Sequence, residues 1–297
     1  MQYDDTMWDI FKKLSFRFFG RSLEPFVNYF DSIKQDLQKS DLDLSLTEYV
    51  YVTFFVMLLV FVIEFPLIVI ITALTFKTAF LAFLFSFTLT ILILLGVFFL
   101  FYTYPSLVSN SRKKNIETNL PFATTYMATI ASSGAPPPTM FKVLSQFKEY
   151  GEISKEAGKI HRDIEAFGMD LVGSLRKTAS RTPSEELKEL FWGLDTVLTT
   201  GGNLGDYLHE KSRTFIAEYR RRLQQFSRTL SLLIEVYLTI ILVGSIFFVI
   251  MTALMSIFGG GEMNLMLSFV QFLVIFIVLP FVSIGFIFLL KTMSPTA

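Results

Sequence analysis

YVYVTFFVMLLVFVIEFPLIVIITALTFKTAFLAFLFSFTLTILILLGVFFLFYTY, residues 49–104, reads as two long apolar stretches, Tyr49–Phe76 and Thr78–Tyr104, divided by the single charge of Lys77. A second pair, Leu232–Phe258 and Leu265–Leu290, lies near the other end of the sequence, and the mostly polar residues 105–231 separate the pairs. A helix rising ~1.5 Å per residue needs about 20 residues to cross a ~30 Å hydrocarbon core, and every stretch exceeds that length. The expected fold is all-α: a polytopic membrane protein with four transmembrane helices in two hairpins and a helical bundle inserted between them. Residues 1–48, 49–104, 105–231, 232–290 and 291–297 are the expected N-terminal segment, first hairpin, bundle, second hairpin and tail.

Composition agrees. The sequence is 52% hydrophobic, with 34 phenylalanines among 297 residues, and its mean hydropathy is +0.53; that is more apolar surface than a water-soluble domain of this length can bury. Lys and Arg total 26, balanced by 26 Asp and Glu, so no global field points to nucleic acid. Cysteine is absent, which excludes disulfides, thiolate metal sites and a cysteine nucleophile. MQYDDTMWDIFKK at the start is acidic and lacks the short basic-then-apolar layout of a cleaved signal peptide, so the first span is expected to direct insertion.

Basic residues beside the spans set the expected orientation. Arg112, Lys113 and Lys114 follow the second stretch, Arg220, Arg221, Arg222 and Arg228 precede the third, and Lys291 closes the fourth, whereas the two hairpin turns carry only Lys77 and Glu262. Both termini and the 105–231 insert are thus expected on the cytoplasmic face of the cell membrane. Within 1–48, Phe11, Leu14, Phe18, Phe26, Phe30, Ile33 and Leu37 recur at helical intervals among charges. Such amphipathic helices can pack on the protein's own insert or, through Lys12, Lys13, Arg17 and Arg21, lie on an anionic leaflet.

The insert carries helix signals throughout. Thr182-Pro183-Ser184-Glu185 reads as a capping box with proline at the first helical position. Leu187, Leu190, Phe191, Leu194, Val197 and Leu198 then form one apolar stripe that stops at Gly201-Gly202, where Asn203 can cap a helix running without a break into the third span. The first half repeats the plan: Phe122, Met127 and Ile130 lead to Gly134, and Pro136-Pro137-Pro138 restart the chain before Met140, Phe141 and Leu144. Middle helices are expected near Ile153–Phe167 and Met169–Thr178, with Gly151, Gly158, Gly168 and Gly173 interrupting.

Span pairs flanking a helical insert, the Leu120-Pro121 start, the Ala131-Ser132-Ser133-Gly134 stop and the turn from Thr200 to Leu208 together resemble the type II secretion F-domain family, the inner-membrane platforms of type IV pili, type II secretion systems, tight-adherence systems and archaella. The resemblance covers roughly residues 50–290. It implies a cytoplasmic six-helix domain that contacts a hexameric secretion ATPase and couples its motion to insertion or extraction of pilin-like subunits. Bacterial pilus platforms commonly carry that domain twice and this sequence once, which implies a homodimer or pairing with a second platform chain. The competing class is a transporter or channel component with a cytoplasmic regulatory helical domain.

Residue-level expectations are few. His161 and His209 sit on helices without a second ligand at metal spacing, TTGGNLGD lacks the Lys-Ser/Thr of a phosphate loop, and no Ser, His and Asp set forms a triad, so no enzymatic activity, cofactor or metal is expected. Any ATP is then hydrolysed by a partner. Glu64 lies within the first span, where an unpaired charge costs on the order of 3 kcal/mol or more, so a hydrogen bond between spans, a place near the outer boundary or a proton relay is expected. Glu235 is expected to pair with Arg228. Arg220, Arg221 and Arg222 can meet lipid phosphates at ~1 kcal/mol each, or can join the exposed acids Glu185, Glu186, Glu189 and Glu210 in docking on complementary charges of the ATPase.

Overall fold

The computed structural model describes residues 16, 27–42, 44–75, 78–258 and 261–293. Among them the regular elements are all helical: α1 (Asp31–Lys39), α2 (Leu46–Thr75), α3 (Ala79–Ser132), α4 (Pro137–Gln146), α5 (Glu152–Glu165), α6 (Leu171–Arg181), α7 (Glu185–Thr200), α8 (Leu204–Phe258), α9 (Gly261–Leu273) and α10 (Leu279–Met293). Four stretches, Leu46–Thr75, Ala79–Ser132, Leu204–Ile257 and Leu265–Thr292, are long and apolar enough to cross a membrane. Helices suit that setting because every backbone N–H and C=O is satisfied within the segment. The chain divides into two compact units, 1–207 and 208–297, with the boundary inside α8.

In the first unit, α2 and α3 pack along their apolar lengths with residue numbers running in opposite directions. Phe65 meets Phe83 edge-on at 6.1 Å between centroids, and the Tyr49 hydroxyl donates to the Phe101 carbonyl at 2.6 Å. Thr72 and Ser86, both buried, share a hydrogen bond of 2.6 Å. Pro66 sits inside α2. Helix α3 does not stop where its apolar run stops: Pro105 and Pro121 both lie within it. The expected helix start at Leu120-Pro121 is therefore absent. Pro121 is instead buried in the last quarter of a 54-residue helix, about 80 Å long at the ordinary rise.

The N-terminal segment, over its described part, packs on the first apolar helix pair as well as on the insert, whereas the insert alone is the expected packed alternative. Ile33 and Leu37 of α1 are buried, and Phe30 meets Phe54 of α2 and Phe98 of α3 at 6.4 and 6.1 Å. The leaflet residues Lys12, Lys13, Arg17 and Arg21, and Phe11, Leu14, Phe18 and Phe26, fall outside the described residues.

The polar half of α3 and helices α4–α7 share one core. Ile116, Leu120 and Met127 from α3, Phe141 and Leu144 from α4, Ile160 from α5, Leu175 from α6 and Leu187, Leu190 and Leu194 from α7 are all buried. Phe141 and Phe191, 6.3 Å apart, join the two halves of the bundle. Turn chemistry places the helices. Gly134 and Gly201 take φ of +77° and +74°, the left-handed conformation that glycine adopts without a Cβ penalty. After Gly201 the Gly202 amide donates to the Val197 carbonyl at 2.9 Å, the six-to-one bond of a Schellman stop. Asp170 caps α6 through the Gly173 amide at 3.1 Å, which moves that helix two residues later than the sequence reading. The cap of α7 is also later: Ser184 accepts from the Leu187 amide at 3.3 Å, while the Thr182 hydroxyl accepts from the Ser184 amide at 3.4 Å. Thr182 thus shapes the turn, and the expected capping box does not form.

In the second unit, Tyr237 on α8 stacks on Phe286 of α10 at 4.1 Å and shares a 2.8 Å hydrogen bond with Ser283. Between α9 and α10, Val274–Val278 forms a π-helical turn in which the Leu279 amide donates to the Val274 carbonyl five residues back. Pro280, which brings no N–H to the ladder, follows directly.

Tyr207 closes the α7–α8 turn: its ring lies against Gly193, and its hydroxyl donates to the Leu190 carbonyl at 3.3 Å. A methyl at Gly193 would collide with that ring. Gly193→Ala is expected to lower unfolding stability by about 1–3 kcal/mol despite alanine's better helix propensity, measured by denaturant titration.

Candidate functional site

The most heavily connected polar group in the first unit is Arg112, on α3 beyond the apolar run. Its side chain is 9% exposed, and its Nε donates to Glu152 at 2.7 Å. One terminal nitrogen reaches Glu156 at 2.6 Å and the other donates to the Lys39 carbonyl at 2.6 Å. Asp41, in the left-handed conformation at φ 59°, stands 3.6 Å away. Lys159 bridges Asp41 at 2.5 Å and Glu156 at 3.0 Å, and Lys155 holds Glu152 at 2.5 Å. The end of α1, the polar half of α3 and the start of α5 therefore meet on one guanidinium. Asn115, one turn after Arg112, accepts from the Glu152 amide at 2.9 Å and caps α5 from another helix.

Electrostatics follow from this geometry. Burial opposes the charge on Arg112, but the hydrogen bond it donates to Glu152 and the fields of Glu156, Asp41 and Glu152 outweigh it and raise its proton affinity. Burial likewise pushes the Glu152 carboxyl up, yet hydrogen bonds from Lys155 and Arg112 together with their charges hold it below the usual carboxylate range. Two further pairs tie α6 to its neighbours: Arg176 grips Asp195 with bonds of 2.7 and 3.2 Å, and Lys177 meets Asp163 at 2.8 Å.

A second junction forms where the two glycine turns meet. Gly205 opens α8 against the end of α3, and a Cβ there would lie 3.1 Å from the Ser132 hydroxyl. Asn203 caps α8 by accepting from the Gly205 and Asp206 amides at 2.9 and 3.3 Å. The two stretches around Gly134 and Gly201-Gly202 are thus neighbours in space.

The other expected residues are dispersed. Glu185 and Glu186 occupy the first turn of α7, where their charge suits the helix dipole, and Glu185 pairs with Lys188 at 3.2 Å. Glu189 follows on the same helix. Glu210 and Arg220, Arg221 and Arg222 lie on the part of α8 in the second unit, where Arg221 approaches Glu218 at 3.8 Å. Glu235 and Arg228 form no ion pair among the described residues; seven positions on one helix separate them by about 10 Å. Glu64 makes none of the expected hydrogen bonds: both carboxyl oxygens are buried and lack a partner among the described residues. The hydrogen bonds from α2 to α3 are instead those of Thr72 with Ser86 and of the Tyr49 hydroxyl with the Phe101 carbonyl.

The Arg112 network was not foreseen, because an arginine after an apolar run reads first as an orientation signal. A trace of it was present: Glu152, Glu156 and Lys159 share one face of α5, four and three residues apart.

Residues 123–252 match the family described as type II secretion system protein F. That range takes in the last turns of α3, all of α4–α7 and most of α8. An uncharacterized protein of Methanocaldococcus jannaschii is 29% identical over 163 residues, 54% of this chain and 26% of its own length. Flagella accessory protein J of the same organism is 26% identical over 137 residues, 46% of this chain and 24% of its own length. A further uncharacterized protein from that organism is 33% identical over 88 residues, 30% of this chain and 26% of its own length. The chain spans about a quarter of the length of the curated relatives it matches. No solved structure matches it.

Arg112→Met should cost about 3–5 kcal/mol of unfolding stability, since it strands Glu152 and Glu156 without their shared cation. Denaturant unfolding of the detergent-solubilised chain measures this. The lowered Glu152 carboxyl gives a second expectation. Its stabilising contribution is complete above the unfolded carboxyl value of about 4.3 and is lost as pH falls through the folded value. Glu152→Gln should therefore be less stable than the parent at neutral pH, with the difference shrinking as pH drops below about 4.

Proposed function

We propose that this chain is a membrane platform protein of a type IV filament or type II secretion-like machine, with two transmembrane hairpins and a cytoplasmic helical bundle between them. The observation that carries the reading is the family match over residues 123–252, which joins the bundle helices to the apolar half of α8 in one domain. A relative named flagella accessory protein J adds support for a filament context. The chain itself performs no catalysis in this reading. A cytoplasmic hexameric ATPase supplies the work, the bundle receives it, and the spans hand it to pilin-like subunits. Helix α8, unbroken from Leu204 to Phe258, is suited to that task because a continuous helix passes tilt or rotation along its length without a hinge. A second copy, or a sister platform chain, completes the assembly, and Arg220, Arg221 and Arg222 engage lipid phosphates or the motor.

The absence of cysteine makes the topology directly testable. Ser180, exposed at the end of α6, can carry the reporter. Ser180→Cys in intact cells should resist a membrane-impermeant maleimide and react only after permeabilisation; reaction from outside would falsify the cytoplasmic placement. Docking has its own readout. Replacing Glu185, Glu186 and Glu189 with Lys should reduce co-purification of the ATPase and filament output at least about tenfold, the scale of one lost charge-assisted contact. Unchanged co-purification would remove α7 as the docking face.

A further inference from the structure

A polar cleft of about 250 Å³ lies between α5 and α6. Its wall includes Glu156, Lys159, Arg162 and Asp163 from α5, spaced so that they share one helix face, and Lys177 and Arg181 from α6. Most of the charge around it is already matched. Asp41, Glu152, Glu156 and Asp163 are the acids, and each is paired: with Arg112 and Lys159, with Arg112 and Lys155, with Arg112 and Lys159, and with Lys177, respectively. Four cations and four carboxylates close that network. Arg162 and Arg181 remain over. Both are exposed, and neither guanidinium has a hydrogen bond or ion pair among the described residues.

Two unused guanidiniums lining one open cleft make a site for a doubly charged anion. Each arginine offers a planar fork matched to two oxygens of a phosphoryl group, and a single carboxylate would occupy only one fork. Size and lining narrow the choice further. The cleft is smaller than the roughly 300–1,000 Å³ pockets that enclose whole organic ligands, and its named walls are charged, with no apolar slot for a ring. We propose that this cleft binds a phosphoryl oxyanion of the phosphate or pyrophosphate type, held between the side chains of Arg162 and Arg181. The bound group is either a small soluble phosphate or a phospholipid headgroup, and the recognition chemistry is the same for both. This proposal stands apart from the filament role, because its readout is binding alone.

The test uses the full chain in nanodiscs of phosphatidylcholine, titrated with pyrophosphate by calorimetry at low ionic strength. Saturable binding with a Kd of about 1 mM or tighter is expected. The double variant Arg162→Gln/Arg181→Gln should lose at least about tenfold in affinity while melting at the same temperature as the parent without pyrophosphate, since neither side chain is used in the fold. Lys188→Gln, which breaks an exposed pair on α7 outside the cleft, should bind like the parent. Repeating the titration in nanodiscs containing phosphatidylglycerol separates the sources. Weakened pyrophosphate binding by the parent at constant ionic strength assigns the site to a lipid headgroup, and unchanged binding assigns it to a soluble phosphate. Absence of saturable binding up to about 10 mM, or equal affinity in the double variant, overturns the proposal.

Discussion

A single buried guanidinium governs how the polar part of the first unit is held. Taking an arginine out of water is costly unless its donors are met by charges and acceptors, and Arg112 is met by Glu152, Glu156 and the Lys39 carbonyl at 2.6–2.7 Å. Those partners come from two separate pieces of chain, the end of α1 and the first turns of α5. Satisfying Arg112 therefore fixes where α1 ends, where α5 begins and how both stand against α3. Because α3 is also the helix whose first half packs on α2, the same side chain ties the bundle to a rod whose other end is apolar.

The remaining architecture extends this arrangement. Asn115 caps α5 one turn further along α3, and the glycine junction at Ser132 and Gly205 brings the start of α8 against the end of α3. The two helices long enough to be both apolar rod and bundle member, α3 and α8, thus touch at the base of α8. The match to type II secretion system protein F spans this junction and continues into the apolar part of α8.

Much of this was readable in the sequence, for physical reasons. Apolar runs longer than a bilayer have few alternatives to spanning helices, and Gly201-Gly202-Asn203 combines a left-handed stop with a cap in three residues, so both features were legible. Local chemistry misled where two candidates compete within a few residues. Thr182 and Ser184 can each cap α7, and only the path of the preceding chain decides for Ser184. Pro121 suggests a helix start, yet a proline is tolerated inside α3 where surrounding contacts hold the helix. Glu64 implied a polar partner, but the side-chain pair between α2 and α3 is Thr72 with Ser86, whose short side chains let the helices approach. The Arg112 network stayed hidden because its members are spread from Asp41 to Lys159, and sequence spacing carries no record of contacts at that range. The same holds for the candidate functional residues, of which the exposed acids and the arginine run remain surface groups on separate elements.

The central claim is that Arg112 and the α5 carboxylates act as one unit. A double-mutant cycle over Arg112→Met and Glu156→Gln, read by hydrogen exchange of the amides in α1 and α5, tests it most directly. The account predicts a coupling energy of about 2 kcal/mol or more, with faster exchange in α1 and α5 in either single variant and little further change in the double. Additive effects within about 0.5 kcal/mol would contradict it, since they would mean that the two residues contribute independently.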